Sequence, residues 1–227
     1  MMGGVGYISL FERQGVLTMK KILAFAAAVA VSAVSAFALD VAVGARGAFG
    51  MGLGTDIHAD GDEKLDMGKS LNFGGAIFGK IGITEQISVQ PEIGFTHHTV
   101  GEKMDDYKGT VGFNTLDIPV LVGYNLEVMD GFTVTPFLGP QLSFALGKGK
   151  FGGDFSDFAD DVEFKSPLLF DVVLGANCAY EVGPGAIVAD LRYNLGLIAL
   201  KEKESEEKLV TPRALGLSLG YQLKLGE

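Results

Sequence analysis

Three consecutive residues, His97, His98 and Thr99, form the cluster in this sequence that most resembles a catalytic nucleophile with its base. A histidine can take the proton of a nearby hydroxyl group and so activate it as a nucleophile. The base in turn needs a third group to orient it, and no such acid is evident from the sequence. Polar residues at the end of a strand are the ordinary explanation of such a cluster, so the sequence predicts no enzymatic activity.

Acidic side chains concentrate in two stretches that could collect calcium ions. The stretches contain Asp56, Asp60, Asp62, Glu63 and Asp66, and then Asp154, Asp157, Asp160 and Asp161. Neither stretch has the residue spacing of a defined calcium-binding loop. We therefore expect solvated surface acids, with no metal site and no cofactor.

Charged residues also interrupt segments that are otherwise apolar. In DLRYNLGL, residues 190–197, Asp190 and Arg192 alternate with leucines and a tyrosine. In a soluble strand these charges would face water and need no further explanation. If that side of the strand is enclosed instead, each charge must find a partner. The elements that carry these residues decide between the two interpretations.

The N-terminal part of the chain has the composition of a targeting segment. Residues 19–38 combine two lysines, an apolar stretch and a small-residue site, Ala36-Phe37-Ala38, which is the pattern of a secretory signal peptide cleaved after Ala38. The apolar stretch is shorter than the ~20 residues that a membrane-spanning helix needs. Residues 1–18 are then interpreted as an upstream start-codon artefact, and residues 39–227 as the mature domain.

The overall composition restricts the class of that domain. The net charge of the chain is −10, which disfavours nucleic acid as a partner. Cys178 is the single cysteine, so no intramolecular disulfide can form. Mean hydropathy is +0.30 and the chain has 33 glycines, yet outside the signal peptide no apolar run approaches the length of a membrane-spanning helix. This combination favours an outer-membrane β-barrel.

Hydrophobic side chains alternate at period two in eight segments: 39–51, 71–84, 87–99, 114–126, 132–146, 167–181, 186–197 and 213–225. Each is long enough to cross a bilayer as a tilted strand of ~9–11 residues. Short connections alternate with long acidic ones near 52–70, 100–113, 147–166 and 198–212. The sequence therefore predicts an all-β fold, an eight-stranded antiparallel up-and-down transmembrane β-barrel after an N-terminal signal peptide, with both termini in the periplasm.

A soluble barrel of the lipocalin kind would also have eight alternating strands, but with an apolar lumen and a polar exterior. The mostly polar face of the present segments is rich in small residues: Ala42, Gly44, Gly74, Ala76, Gly94, Gly123, Gly139, Gly175 and Gly216. Small side chains suit a narrow lumen, whereas a water-facing surface would carry more lysine and glutamate. Two aromatic girdles are also predicted. They comprise Tyr124, Phe132, Tyr180 and Tyr221 at the periplasmic side and Phe49, Phe73, Phe95 and Phe144 at the outer side.

Charged residues on the polar face should then lie in the lumen, which in an eight-stranded barrel is just wide enough for side chains. Because unpaired buried charges are costly, we expect these groups to pair with one another. The predicted lumen ion-pair network comprises Asp40, Arg46, Lys80, Glu92, Asp117, Asp171, Glu181, Asp190, Arg192 and Lys224. The candidate partners of Arg192 are Glu92, Asp117 and Asp171. A filled polar plug is the prediction, and a selective solute path is the alternative.

Five stretches occur in an order that resembles a known family. They are ISVQPEIGFTHH (87–98), TLDIPVLVGYNL (115–126), VTPFLGPQLSFAL (134–146), VADLRYNLGL (188–197) and LGLSLGYQLKL (215–225). Together they resemble the PorT-like outer-membrane β-barrel domain family, in which Gln-Pro-Glu, Ile-Pro, Pro…Gly-Pro and Asp-x-Arg-Tyr strands follow in this order. The resemblance implies eight strands in an outer membrane and no common catalytic residues. OmpW-like and OmpX-like barrels remain alternatives.

Two further resemblances concern single strands. The last segment carries Ser218, Gly220, Leu223 and Leu225 in a spacing similar to the signal read by the outer-membrane assembly machinery, although it lacks a terminal aromatic residue. His97 and Thr99 have the spacing of the lipid-facing His-x-Ser of lipid A deacylase barrels, with threonine in place of serine. A lipid-modifying barrel enzyme is therefore the remote alternative.

Four prolines lie within predicted strands: Pro91, Pro119, Pro136 and Pro140. Proline removes one donor from the hydrogen-bond ladder, and a closed barrel has no free edge at which that loss is harmless. We therefore expect bulges or strand ends at these positions.

The third long loop interleaves four aromatic residues with its acids and is a candidate contact surface. These residues are Phe151, Phe155, Phe158 and Phe164. The sequence thus predicts an outer-membrane barrel of a diderm bacterium with an ion-paired lumen, acidic surface loops and a structural or ligand- or host-binding role. Expected partners are outer-membrane lipids, the assembly machinery and an extracellular ligand or host surface. An OmpW-like narrow channel for small or hydrophobic solutes is the alternative, slightly favoured by apolar lumen-facing residues: Phe78, Leu121, Phe137 and Leu169.

Overall fold

The computed structural model describes residues 40–53, 56–58, 64–66, 70–104, 107–153, 167–198, 200–201, 208–210 and 213–225. Eight long strands account for most of them: β1 Asp40–Gly52, β2 Ser70–Gly82, β3 Ile87–Met104, β4 Tyr107–Tyr124, β5 Phe132–Gly153, β6 Leu168–Val182, β7 Gly185–Ile198 and β8 Arg213–Leu225. A short strand, Leu126–Met129, continues β4. Two small hairpins pair Asp56–His58 with Lys64–Asp66 and Leu200–Lys201 with Lys208–Val210. The predicted signal peptide and residues 1–18 lie outside the described residues.

Each long strand pairs antiparallel with its neighbours in sequence. The first strand, β1, also pairs with β8 over Val41 to Gly52, and β4 pairs with β5. All eight strands therefore have two partners, so the sheet closes on itself and leaves no unpaired edge. This confirms the predicted eight-stranded up-and-down barrel. No helix among the described residues is long and apolar enough to cross a membrane.

Side chains alternate between a buried lumen face and an exposed apolar face, as the period-two pattern predicts. In β8, Leu217 and Leu219 are among the most exposed large hydrophobic side chains, whereas Ser218 and Gln222 are buried. Exposed leucines are costly in water and favourable in hydrocarbon, because apolar surface gains free energy when it leaves water. The exterior is therefore the apolar face, which excludes the lipocalin arrangement.

Aromatic residues of the exterior form two rows across the strands. Phe49 of β1 is paired with Phe73 of β2, and Leu116 links Phe95 with Phe144 in a second outer group. Near the other end, Tyr180 is paired with both Phe132 and Ile187. Rows of aromatic side chains are typical of the two membrane–water interfaces of a membrane barrel.

The connections at one end are short, and two of them turn through glycines with positive φ. Gly131 (φ 72°) follows Leu126–Met129, and Gly183 (φ 61°) joins β6 to β7. Backbone in this region is accessible to glycine without the steric penalty that a Cβ would bring. Because short turns and both termini lie at the periplasmic end of such barrels, this end is the periplasmic one.

The predicted long connections at the opposite end need correction. Most of 100–113 is strand, since β3 and β4 continue their pairing up to Met104 and Tyr107. Likewise, β5 extends to Gly153, so 147–153 belongs to a strand. Antiparallel strands can keep their hydrogen bonds after they leave the membrane, because the ladder depends on backbone groups and not on an apolar exterior. The rest of the third loop, 154–166, lies outside the described residues.

The prolines also differ from expectation, because the strands do not slip at them. The β3–β4 register is the same at Pro91, paired with Val120, as at Gly94, paired with Asp117. The β4–β5 register is likewise continuous past Pro119. Each proline removes a single donor, and the flanking residues hold the alignment. Among the described parts of the long strands, register shifts lie instead at 112–114 of β4 and 196–198 of β7.

Candidate functional site

Four charged side chains meet inside the barrel and alternate in sign around a closed ring, which we call the ionic ring: Arg46, Glu92, Arg192 and Asp190. Arg46 donates from Nη1 to Asp190 Oδ2 at 2.7 Å and from Nη2 to Glu92 Oε2. Arg192 donates to both oxygens of Glu92 at 2.9 Å and, from Nη2, to Asp190 Oδ2 at 2.7 Å. Two positive and two negative charges thus neutralise one another.

The strands that carry these residues explain why the ionic ring spans the lumen. Arg46 projects from β1, Glu92 from β3, and the Asp190–Arg192 pair from β7. In the closed order of strands, β3 and β7 are four positions apart, so they stand on opposite walls. The bidentate contact between Arg192 and Glu92 therefore crosses the full width of the barrel.

Uncharged groups complete the hydrogen bonding of the two carboxylates. Asn177 donates to Asp190 Oδ1, and Gln90 donates to Glu92 Oε1 at 2.7 Å. Glu92 and Asp190 are 3% and 2% exposed. Carboxylates this deeply buried are tolerated only when their charges and lone pairs are satisfied, and here they are.

An apolar layer lies against the ionic ring. The Arg46 guanidinium stands 5.0 Å from the ring centroid of Phe78, and that of Arg192 stands 5.2 Å from the centroid of Phe137. Such cation–π contacts are worth roughly 0.5–2 kcal/mol each when water is excluded. Buried small and branched side chains complete the layer around the two phenylalanines: Leu121, Val173, Ala179, Ala186 and Val188.

Two glycines make room for the phenylalanine rings. A Cβ on Gly44 would lie 2.4 Å from Cζ of Phe78, and a Cβ on Gly175 would lie 2.7 Å from Cζ of Phe137. Any larger residue would have to displace these rings, because real Cβ atoms do not approach other atoms so closely. The small residues on the lumen face are therefore the complement of the large ones, as expected for a narrow filled barrel.

Two cavities flank this double layer in the described part of the barrel, one on each side. The outer cavity, of about 170 Å³, reaches from the ionic ring to the outer rim. The periplasmic cavity, of about 430 Å³, is lined by polar residues of the opposite end. The ionic ring contributes to the wall of the outer cavity, whereas Ala179 and Ala186 of the apolar layer face the periplasmic one. The order along the axis is therefore outer cavity, ionic ring, apolar layer and periplasmic cavity.

The remaining members of the predicted ion-pair network are arranged differently from the prediction. Lys224 pairs with Glu181 at the periplasmic end, where both side chains are about half exposed. Asp117 accepts a hydrogen bond from Thr96 at 2.6 Å. Asp171 lies 3.4 Å from Gln141 Nε2. The ten residues thus do not form one network, and Arg192 takes Glu92 and Asp190 as partners instead of Asp117 or Asp171.

Two further members, Lys80 and Asp40, also have no salt bridge within the described residues. Lys80 lies 3.3 Å from the Thr135 hydroxyl, and Asp40 is exposed at the start of β1. Both residues line the periplasmic cavity. A wider, wetter end of the lumen stabilises single charges that the dry centre would not, because solvent there compensates for the missing partner.

The two histidines face opposite sides of β3. His97 bonds through Nδ1 to Asn114 Oδ1 at 2.8 Å and lies against Phe73 on the exterior. His98 points inward, where Nδ1 is 3.2 Å from Asn72 Oδ1, Nε2 is 2.9 Å from the Thr115 hydroxyl, and its ring stacks on Phe113. The groups that orient both rings are amides, a hydroxyl and aromatic rings instead of acids.

Other predicted sites are placed as follows. The predicted assembly signal lies in β8 and comprises Ser218, Gly220, Leu223 and Leu225. Ser218 is buried, and the two leucines are exposed on the exterior. Phe151 falls at the end of β5. Phe155, Phe158 and Phe164 lie outside the described residues. Among the described residues no group of three His, Cys, Asp or Glu side chains is placed to hold a metal ion.

Sequence reasoning misses the supporting shell of the ionic ring. Asn177 and Gln90 are recognisable as lumen-facing by their parity, but nothing in the sequence shows which charge each one contacts. Phe78 and Phe137 are recognisable as apolar lumen residues. The sequence suggests that they line a solute path, whereas in the structure they form a layer against two guanidinium groups. Strand stagger sets which lumen residues share a level, and stagger is not readable from alternation alone.

The family model described as "Outer membrane protein beta-barrel domain" matches residues 32–202. Among solved structures, the outer membrane protein OprG from Pseudomonas aeruginosa superposes with a TM-score of 0.53 at 13% identity, over 82% of this chain and 96% of that one. Ail of Yersinia pestis superposes with a TM-score of 0.44 at 14% identity, over 82% of this chain and 98% of that one. Neisserial surface protein A superposes with a TM-score of 0.46 at 18% identity, over 82% of this chain and 97% of that one. No curated protein sequence matches the chain significantly.

Proposed function

This chain belongs to the outer membrane protein β-barrel domain family, and on that premise we propose that it is a non-catalytic barrel with a closed lumen that acts through its outer end. The protein resides in the outer membrane of a diderm bacterium. Its proposed role is to bind an extracellular ligand or host surface, or to support the membrane itself. Outer-membrane lipids around the apolar exterior and the assembly machinery that reads β8 are its proposed partners.

Contacts that span the lumen are the observation that supports this proposal. Arg192 and Glu92 join opposite walls through two hydrogen bonds of 2.9 Å. Beneath them Phe78 packs from β2 against Ala179 and Val188 on the far side. An ion would have to separate a desolvated salt bridge and displace an aromatic ring to pass. Leaving one member of a buried pair without its partner costs roughly 3–5 kcal/mol, so a separated pair is strongly disfavoured.

The absence of a catalytic role is supported by the chemistry of the histidine cluster. His97 faces the exterior beside Phe73 and Asn114, and no acid of the described strands orients it as a base. His98 is held between Asn72 and Thr115, a geometry suited to rigid packing. The remote alternative of a lipid-modifying enzyme therefore lacks the oriented base that nucleophilic catalysis requires.

Within this family the chain is proposed to be PorT-like. The ordered Gln-Pro-Glu, Ile-Pro, Pro…Gly-Pro and Asp-x-Arg-Tyr strands support a PorT-like affiliation within the barrel family. An OmpW-like narrow channel is the competing function, and the two cavities that flank the closed centre would be its vestibules.

Electrical recording from the purified barrel in planar bilayers separates the two functions. We expect no stable openings from the unmodified protein. The double variant Arg192→Ala/Phe137→Ala removes one side chain from each closing layer and should conduct, whereas Lys224→Ala, at the exposed periplasmic pair, should not. Stable ohmic channels from the unmodified protein would refute the closed lumen and support the OmpW-like channel.

A further inference from the structure

The outer cavity carries two carboxylates that the ionic ring does not neutralise. Arg46 and Arg192 are fully engaged by Glu92 and Asp190, so the ring has no positive charge left to share. Asp117 and Asp171 also line the cavity, and they are neighbours across β5, because Asp117 is paired with Ser143 and Asp171 with Gln141 of that strand. Arg213 also lines the cavity, but it is exposed at the outer rim. The buried part of the cavity therefore has more carboxylates than cations, which a low-dielectric site tolerates poorly without a counter-charge.

Two buried polar atoms in the same wall have no hydrogen-bond partner among the described residues. Asp171 is 3% exposed, and its Oδ1 accepts no hydrogen bond from them. Ser218 is 8% exposed, and its Oγ is likewise without a partner there. Buried polar groups are nearly always satisfied in native structures, and each exception calls for an explanation such as a bound group. Both residues line the outer cavity. Ser218 lies at the level of the ionic ring, where it is paired with Asp190, whereas Asp171 lies near the outer end of β6, so an occupant of the outer part of the cavity would meet Asp171.

An apolar cluster lies in the cavity wall on the outer side of the two carboxylates. Phe113, Leu169 and Ala145 form a buried cluster with Val100 against it, and the ring of His98 stacks on Phe113 with centroids 4.8 Å apart. Phe113 and Leu169 line the cavity together with the two carboxylates. A mostly apolar pocket with a few convergent polar groups is the usual form of a small-molecule site.

We infer from this combination that the outer cavity binds a small organic ammonium ion. The ammonium group would donate to Asp171 and Asp117, while a compact apolar body would pack on Phe113 and Leu169. The cavity volume of about 170 Å³ is comparable to the roughly 150 Å³ cavities that accept a benzene-sized ligand. An ammonium ion also supplies the positive charge that the two carboxylates lack.

A metal ion fits the site less well. Among the described residues no three His, Cys, Asp or Glu side chains converge as metal ligands. A hard divalent cation needs six or more oxygen ligands, whereas the cluster next to the carboxylates on their outer side is apolar. Ammonium needs only two or three acceptors and benefits from a neighbouring aromatic face.

This inference deepens the proposed binding role, and it rests on the lumen being closed below the cavity. Benzylamine is a suitable probe, because it joins an ammonium group to a benzene-sized body. Benzyl alcohol is its neutral counterpart of nearly the same shape. The barrel purified from outer membranes and placed in lipid nanodiscs would be titrated with each by calorimetry. We expect saturable benzylamine binding at least tenfold tighter than that of benzyl alcohol.

The carboxylates are tested by variants that keep their shape. Asp171→Asn and, separately, Asp117→Asn should each weaken benzylamine binding at least tenfold. Asp40→Asn, which removes a lumen carboxylate from the periplasmic cavity, should leave it unchanged. Having both variants keeps the test valid if one of them folds poorly, which circular dichroism would reveal.

Several outcomes would overturn the inference. They are equal binding of amine and alcohol, unchanged affinity in both Asp171→Asn and Asp117→Asn, or binding of calcium chloride in place of benzylamine. Bilayer recordings on the same preparation report on the closed lumen separately. A barrel that neither conducts nor binds benzylamine would contradict this inference alone. A barrel that conducts would contradict the proposed function.

Discussion

Neutralising Glu92 is the perturbation whose effect can be worked most fully from the structure. Glu92 accepts hydrogen bonds from Arg46, Arg192 and Gln90 while being 3% exposed. Glu92→Gln keeps the size of the side chain but changes the charge of the ionic ring from zero to +1. It also places an amide donor opposite guanidinium donors. Removing one partner of a buried ion pair costs roughly 3–5 kcal/mol, and we expect the free energy of unfolding to fall by that amount.

The assay is urea unfolding of the barrel in lipid vesicles, followed by circular dichroism because the chain has no tryptophan. Glu181→Gln is the matched control: it breaks the exposed pair with Lys224, and exposed pairs are worth about 0–1 kcal/mol. The double variant Glu92→Gln/Arg192→Met restores a neutral ring and should be more stable than Glu92→Gln alone. If Glu92→Gln costs no more than Glu181→Gln, the ionic ring is not a buried, desolvated cluster and the reasoning fails.

Two further predictions concern the lumen packing and the exterior, each measured in the same unfolding assay. Gly175→Ala would place a Cβ 2.1 Å from the Leu191 carbonyl oxygen and 2.7 Å from Phe137, so it should lower the free energy of unfolding by about 1–3 kcal/mol. At Gly47 a Cβ meets nothing within 4 Å. Gly47→Ala should therefore change the free energy of unfolding by less than about 0.5 kcal/mol. Equal effects at the two positions would contradict the packed lumen. Leu219→Arg places a charge in the middle of the lipid-facing side of β8 and should lower the free energy of unfolding by about 2–4 kcal/mol. The control Gln86→Arg, in a periplasmic turn, should leave the free energy of unfolding nearly unchanged. If Leu219→Arg also has no effect on stability, this face does not lie in hydrocarbon.

The faces of the strands can be predicted from the sequence because alternation has a period of two and a shift by one residue would expose every buried position. Alternation alone therefore places Asp190 and Arg192 inward and Leu191 outward, as the barrel has them. Strand ends are less predictable. Backbone pairing continues beyond the membrane wherever residues permit it, so β3 and β4 run through a stretch whose composition is that of a loop.

Pairing within the lumen is the part that alternation cannot supply. Glu92, Asp117 and Asp171 all face inward, and the sequence offers no reason to prefer one as the partner of Arg192. The stagger between strands brings Glu92 to the level of Arg192 across the barrel, and stagger is a property of barrel closure as a whole. The same stagger leaves Asp117 and Asp171 above the ionic ring, where no cation of the described strands pairs with them.

A closed lumen requires a rigid, buried ionic ring, and the arginine side chains report on that ring directly. Residues 39–227 contain three arginines, Arg46, Arg192 and Arg213, and Arg213 is exposed at the outer rim. In nitrogen-15 NMR spectra of the barrel in nanodiscs, Arg46 and Arg192 should show separate Nη signals and slow exchange of their Nε and Nη protons with water. Arg213 should show a single averaged signal with fast exchange. Averaged, rapidly exchanging signals from all three arginines would contradict the closed lumen.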